Sequence, residues 1–173
     1  MIEACWPLSA TALAPEQVPK AAGNWLLDRG SLTARIKASC DQFELTLLEQ
    51  GRGELAPAVR LCLGLPQQFY QRQVCLKADG RPWVYGLSFW SGEDPRLAGL
   101  GDNALGELLF SEPHWQRGDI VPLQLDASAL PAALGCRACG PLWGRASRFS
   151  QGRRQLWVLE VFLPQSPVYL DSQ

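Results

Sequence analysis

The chain has 173 residues, 47% of them apolar, and carries 16 Lys and Arg against 17 Asp and Glu for a formal net charge of −1. That length builds one domain with a sizeable core and is too short for two ordinary ones, so residues 1–173 read as a single domain. The near-neutral balance argues against a nucleic-acid or membrane-surface binder, and no apolar stretch approaches the roughly 20 residues of a membrane span.

Residues 1–18 are irregular and proline-spaced, and residues 1–7 lack the basic start and apolar core of an export signal, so a soluble cytoplasmic protein is expected. A short amphipathic helix is predicted over 19–27, closed by Asp28-Arg29-Gly30 with Gly30 as a left-handed cap. Ser31 fits the N-cap of a second helix over 32–40. Residues 43–48 alternate like a half-buried strand, broken by Gly51-Arg52-Gly53, and a loop with one helical turn runs to Pro66.

Strands over 69–77 and 82–90 flank Asp79-Gly80, the strongest short-range hairpin signal in the chain. Asp102 is placed to cap a helix over 103–110 with Leu105, Leu108 and Leu109 as its apolar stripe. A strand over 120–125, a helical turn within 127–134, and a hairpin pairing 142–150 with 155–163 complete the chain. Strands joined by hairpins, with helices ahead of and between them, predict an α+β fold built on a single antiparallel sheet.

Two charges violate this pattern. In the last strand Glu160 shares a face with Leu156, Val158 and Phe162, and in the first hairpin Arg72 shares one with Tyr70, Val74 and Leu76. An ionised group in an apolar interior costs several kcal/mol unless paired. The pattern leaves two readings open: a structural Arg–Glu pair, or a polar pocket inside the sheet.

Motifs for metal or nucleotide chemistry are missing or weak. Gly99-Leu100-Gly101-Asp102-Asn103-Ala104 matches a relaxed dinucleotide fingerprint, but it follows a polar loop rather than a strand and reads as a lead-in to a helix. Cys136-Arg137-Ala138-Cys139 has metal or redox spacing, yet the lone histidine, His114, lies in a polar turn and reads as surface. The six cysteines read as free thiols. Chemistry here is expected to be cofactor-free acid–base or electrostatic work.

Several blocks together resemble the chorismate pyruvate-lyase family: Trp25-Leu26-Leu27 with Gly30-Ser31-Leu32-Thr33, Tyr70-Gln71-Arg72, Ala78-Asp79-Gly80 with Pro82-Trp83, Leu105-Gly106 with Leu109-Phe110, and Leu142-Trp143-Gly144-Arg145-Ala146-Ser147-Arg148-Phe149 with Glu160-Val161-Phe162-Leu163-Pro164. They fall in the family's order over residues 24–167. The resemblance implies an antiparallel sheet with helical flaps over a buried pocket. It further implies release of pyruvate from chorismate to give 4-hydroxybenzoate for ubiquinone synthesis, without cofactor, metal or nucleic acid, by a monomer with no stable membrane association.

By position, the resemblance makes Arg72 the holder of the ring carboxylate and Glu160 the acid that meets the ring hydroxyl. It places Leu32 and Leu105 on the pocket wall and makes Gly86 the small residue beside the site. It leaves open whether Glu160 acts as acid or base or only orients the substrate. One position departs: the family pattern has an arginine directly after Gly86, and here stands Leu87. Arg145 and Arg148 are possible substitutes, though the basic cluster they form with Arg153 and Arg154 reads as a solvated strand edge. A non-catalytic domain of the same fold that senses a small aromatic acid is the alternative. Such sensors follow a helix-turn-helix, and none is evident before residue 24.

Overall fold

The Asp79-Gly80 turn sets the register on which the sheet is built. Both residues have positive φ, 50° and 76°, as a two-residue hairpin turn requires. Asp79 also accepts backbone N–H bonds from Asp41 and Gln42 through Oδ1, at 3.0 and 2.8 Å. The turn joins β3 (Tyr70–Ala78) to β4 (Arg81–Trp90). The computed structural model describes residues 6–137 and 140–172. Its other strands are β1 (Thr11–Ala12), β2 (Phe43–Arg52), β5 (Gln116–Asp126), β6 (Pro141–Gln151) and β7 (Arg154–Phe162). They form one seven-stranded sheet in the order β1-β5-β6-β7-β4-β3-β2, antiparallel throughout.

Among the described residues five short α-helices accompany the sheet: α1 (Lys20–Leu26), α2 (Leu32–Ala38), α3 (Pro57–Cys62), α4 (Pro95–Ala98) and α5 (Leu105–Ser111). Ser31 caps α2 as expected, its Oγ accepting from Ala34 N at 3.2 Å. Gly30 is not left-handed; its N–H donates to Asp28 Oδ1 at 3.0 Å in a local turn. Asp102 does not cap α5 either: Ala104 holds that position without a side-chain bond. The strand begun at Phe43 does not stop at Gly51 but runs to Arg52, with a register shift between Leu47 and Glu49.

The sheet is covered on both faces. Tyr85, Leu87, Phe89, Leu159 and Val161 point to one side, where Leu63 and Leu65 after α3 close over them. On the other side α1 and α2 pack Ala22, Trp25, Leu26, Leu32 and Ile36 onto Leu76, Val84 and Phe162. On that same side Leu97, Leu100 and Leu109 pack against Trp90, Phe149 and Leu156. Between these last two clusters the sheet floor is not filled with apolar side chains, and both inward charges emerge there.

Cys40, Cys75 and Cys136 are free thiols, whereas Cys62 is disulfide-bonded, against the expectation of free thiols throughout. Cys139, half of the C-x-x-C pair, lies outside the described residues. His114 is exposed.

Gly53 tests the packing of the sheet's far side. A Cβ there would overlap the Phe69 ring, which is 3% exposed and packs edge-on against Phe89. Gly53→Ala is expected to lose about 1–3 kcal/mol by overpacking. Urea unfolding checks this, and an unchanged midpoint contradicts it.

Candidate active site

Arg72 is 2% exposed and projects from the first half of β3, and among the described residues no carboxylate pairs with it. Its Nη1 donates to Oε1 of Gln50, the residue directly across on β2, at 2.8 Å. Its Nη2 donates to the carbonyls of Gly101 and Asn103, at 2.8 and 2.9 Å. The glycine-rich stretch that mimics a dinucleotide fingerprint therefore acts as a backbone cradle for this guanidinium. Among the described residues three of its five N–H donors are used, which leaves two for a ligand. Burial lowers the Arg72 pKa, and the nearby Asp102 charge opposes that shift.

Glu160, on β7, is paired with another arginine. Arg145 stands directly across from it on β6 and donates Nε to Glu160 Oε2 at 2.5 Å. Arg145 is 1% exposed, so its assignment to a solvated strand edge is corrected. β6 lies between β5 and β7 in the interior of the sheet, and the side chain points under the helices. Its Nη1 donates to the carbonyls of Trp25 and Asp28, at 3.2 and 2.7 Å, closing the end of α1. Arg148, one of the same basic group, is exposed, with its guanidinium 5.9 Å from the Trp157 ring.

A third arginine completes the set. Arg117, near the start of β5, brings Nη2 to 4.0 Å from Glu160 Oε2. Its Nε donates to Ser147 Oγ at 3.0 Å, and its Nη1 to the carbonyls of Arg29 and Gly30 at 3.1 and 3.2 Å. Burial, and then the neighbouring Arg145 charge, push its pKa down to about 10.

Arg72, Arg117, Arg145 and Glu160 all line one cavity, roofed by Thr33, Leu105, Leu109 and Phe110. The space open to the centre of a water molecule is about 60 Å³, several times what a single water needs. Gly86 lies on the floor, paired with Val74 on one side and Glu160 on the other. A side chain there would meet Val74 Cγ2 at 2.9 Å and fill the gap between the two charges. From the strand register, the Cα atoms of Arg72 and Glu160 lie about 12 Å apart, two strands and two residues away from each other. They occupy opposite ends of one cavity and do not form the structural pair that strand parity left open.

Leu105 is among the residues that line the cavity. Leu32 is not: it is 4% exposed within the core beneath α1 and α2, while its neighbours Gly30 and Thr33 reach the cavity wall. The α2 face that carries Leu32 packs with Trp25 and Ile36, and that contact fixes its direction. Leu87, where the family pattern has arginine, packs with Tyr85 and Phe89 in the opposite-face core. Sequence reasoning missed Arg117 altogether. Had the strand been started at Gln116 instead of Ile120, the basic side chain opposite the last hairpin would have been visible.

Fold and cavity define a class: an antiparallel α+β domain that encloses a buried pocket rich in arginine, suited to a small organic anion. The family model described as chorismate lyase matches residues 3–173. The chain belongs to the chorismate lyase family. It is 38% identical over 157 residues to a probable chorismate pyruvate-lyase of Shewanella sp. strain W3-18-1, spanning 84% of this chain and 82% of that protein. It is 41% identical over 149 residues to one from Pseudomonas aeruginosa strain UCBPP-PA14, spanning 82% of each. Among solved structures, the effector domain of PhnF from Mycobacterium smegmatis shares the fold with a TM-score of 0.58 at 17% identity, over 80% of this chain and 91% of that one. The C-terminal domain of the histidine utilization repressor from Pseudomonas syringae pv. tomato does so with a TM-score of 0.54 at 11% identity, over 71% and 92%.

Removing one member of a buried ion pair strands the other charge. Arg145→Met is expected to destabilise the fold by about 3–5 kcal/mol, and adding Glu160→Gln to recover part of that loss. Urea unfolding of the single and double variants checks this; a double variant less stable than Arg145→Met contradicts it.

Proposed function

We infer that the cavity converts chorismate to 4-hydroxybenzoate and pyruvate, with Arg72 holding the ring carboxylate and Glu160 meeting the ring hydroxyl. One observation carries the reading: a cation with unused donors and a carboxylate face the same cavity from opposite ends of a floor opened by Gly86. A para-substituted ring with a carboxylate at one end and a hydroxyl at the other matches that polarity.

The reaction is an elimination. The proton on the hydroxyl-bearing ring carbon leaves, the carbon–oxygen bond to the enolpyruvyl arm on the next carbon breaks, and the electron pair completes the aromatic ring. The departing enolpyruvate takes up a proton and becomes pyruvate. Aromatisation supplies much of the driving force, so the protein's task is to orient the ring and to stabilise charge developing on the departing oxygen.

Glu160 is well set for the orienting part. Arg145 holds Oε2, and among the described residues Oε1 accepts no hydrogen bond, so it is available to the substrate hydroxyl. Three guanidinium groups against one carboxylate give the cavity a surplus of positive charge, which suits a substrate with two carboxylates. The reading takes the protein as a cytoplasmic monomer, with every group it uses supplied by one chain. Among the described residues no helix is long and apolar enough to cross a membrane.

Incubation with chorismate, following 4-hydroxybenzoate by absorbance, tests the reading. Arg72→Ala is expected to raise KM by roughly a hundredfold through loss of a charged anchor, and Glu160→Gln to act mainly on kcat, lowering it about a hundredfold. Unchanged kinetics in either variant removes that residue from the site. Binding of 4-hydroxybenzoate without any turnover reassigns the cavity to effector sensing.

A further inference from the structure

Resting on that reading, we propose that Arg117 is the specificity residue for the second carboxylate, the one on the enolpyruvyl arm, and so separates substrate from product. The side chain is 8% exposed and is anchored by Nε to Ser147 and by Nη1 to the carbonyls of Arg29 and Gly30. Its Nη2, with two N–H groups, makes no hydrogen bond among the described residues and lines the cavity beside Glu160.

Arg145, the neighbouring cation, is committed to Glu160 and to the carbonyls that end α1. Arg72 lies at the other end of the floor. Among the described residues the Nη2 groups of Arg145 and Arg117 both lack a hydrogen bond, but Arg145 is bonded to the Glu160 carboxylate at 2.5 Å while Arg117 stands off at 4.0 Å, which makes Arg117 the cation at this end least neutralised by it. Burying a guanidinium with idle donors is costly unless an anion completes it.

The substrate's chemistry puts an anion there. Its hydroxyl and its enolpyruvyl ether sit on adjacent ring carbons, so a ring held by Arg72 at one end and Glu160 at the other places the arm beside Glu160. The arm's carboxylate can then meet Nη2 in the substrate and in the departing enolpyruvate. 4-Hydroxybenzoate has lost the arm and makes no such contact. Arg117 thus supplies a second cation from β5, although Leu87 occupies the position where the family pattern carries an arginine.

The test compares Arg117→Gln and Arg117→Lys with the unaltered protein in two measurements: kcat/KM for chorismate, and Ki for 4-hydroxybenzoate as a competitive inhibitor. Arg117→Gln is expected to lower kcat/KM about a hundredfold while Ki stays within about threefold. Arg117→Lys, which keeps the charge without the fork, is expected to retain roughly ten times the kcat/KM of the glutamine variant. It carries the comparison if the glutamine variant does not fold. A Ki that weakens in parallel with kcat/KM, or a kcat/KM within threefold of the unaltered protein, overturns the assignment while leaving the lyase reading in place. No turnover of chorismate by the unaltered protein removes both.

Discussion

The ion pair between Arg145 and Glu160 is the constraint on which the rest of the site is built. It sits on neighbouring central strands, under helices, with the arginine almost fully enclosed. Burying either charge alone costs several kcal/mol. Here the guanidinium also closes the carbonyl end of α1, so one side chain fixes the acid's orientation and the position of the first covering helix together. A hydrophobic pair at these positions would leave the α1 carbonyls without their donor and the cavity without a carboxylate.

The opposite end of the cavity uses the same device with different partners. Arg72 is held by the Gln50 side chain and by the backbone just ahead of α5, so the cation that would meet an incoming anion also positions the second covering helix. The two covers meet at an ion pair between Lys37 and Glu107, both about half exposed. Such a surface contact is weak, commonly below 1 kcal/mol, so the covers are held mainly by the arginine–carbonyl bonds beneath them.

How much of this was legible in the sequence follows from which interactions are local. Strand parity located Arg72 and Glu160 on inward faces, because alternation is a property of a few adjacent residues. The Asp79-Gly80 hairpin and the Ser31 cap were readable for the same reason. The partner of Glu160 was half legible: the predicted pairing of 142–150 with 155–163 already sets Arg145 opposite Glu160, but the burial of Arg145 appears only once β5 is seen to lie outside β6. A cluster of four arginines within ten residues looks solvated until the sheet order shows one of them pointing under a helix. Leu32 shows a different limit: the resemblance places it by position on the pocket wall, and the structure packs it with Trp25 and Ile36 beneath α1 and α2. Asp102 looked like a helix cap, while the backbone on either side of it was serving Arg72.

The proposed chemistry requires one polarity: a small aromatic acid in this cavity with its carboxylate toward β3 and its hydroxyl toward β7. A crystal structure of the protein with 4-hydroxybenzoate tests it most directly. The carboxylate is expected within hydrogen-bond distance of the Arg72 guanidinium and the hydroxyl against Glu160 Oε1, with the ring over Gly86. A ligand bound in the reverse sense, or seated away from this cavity, would contradict it.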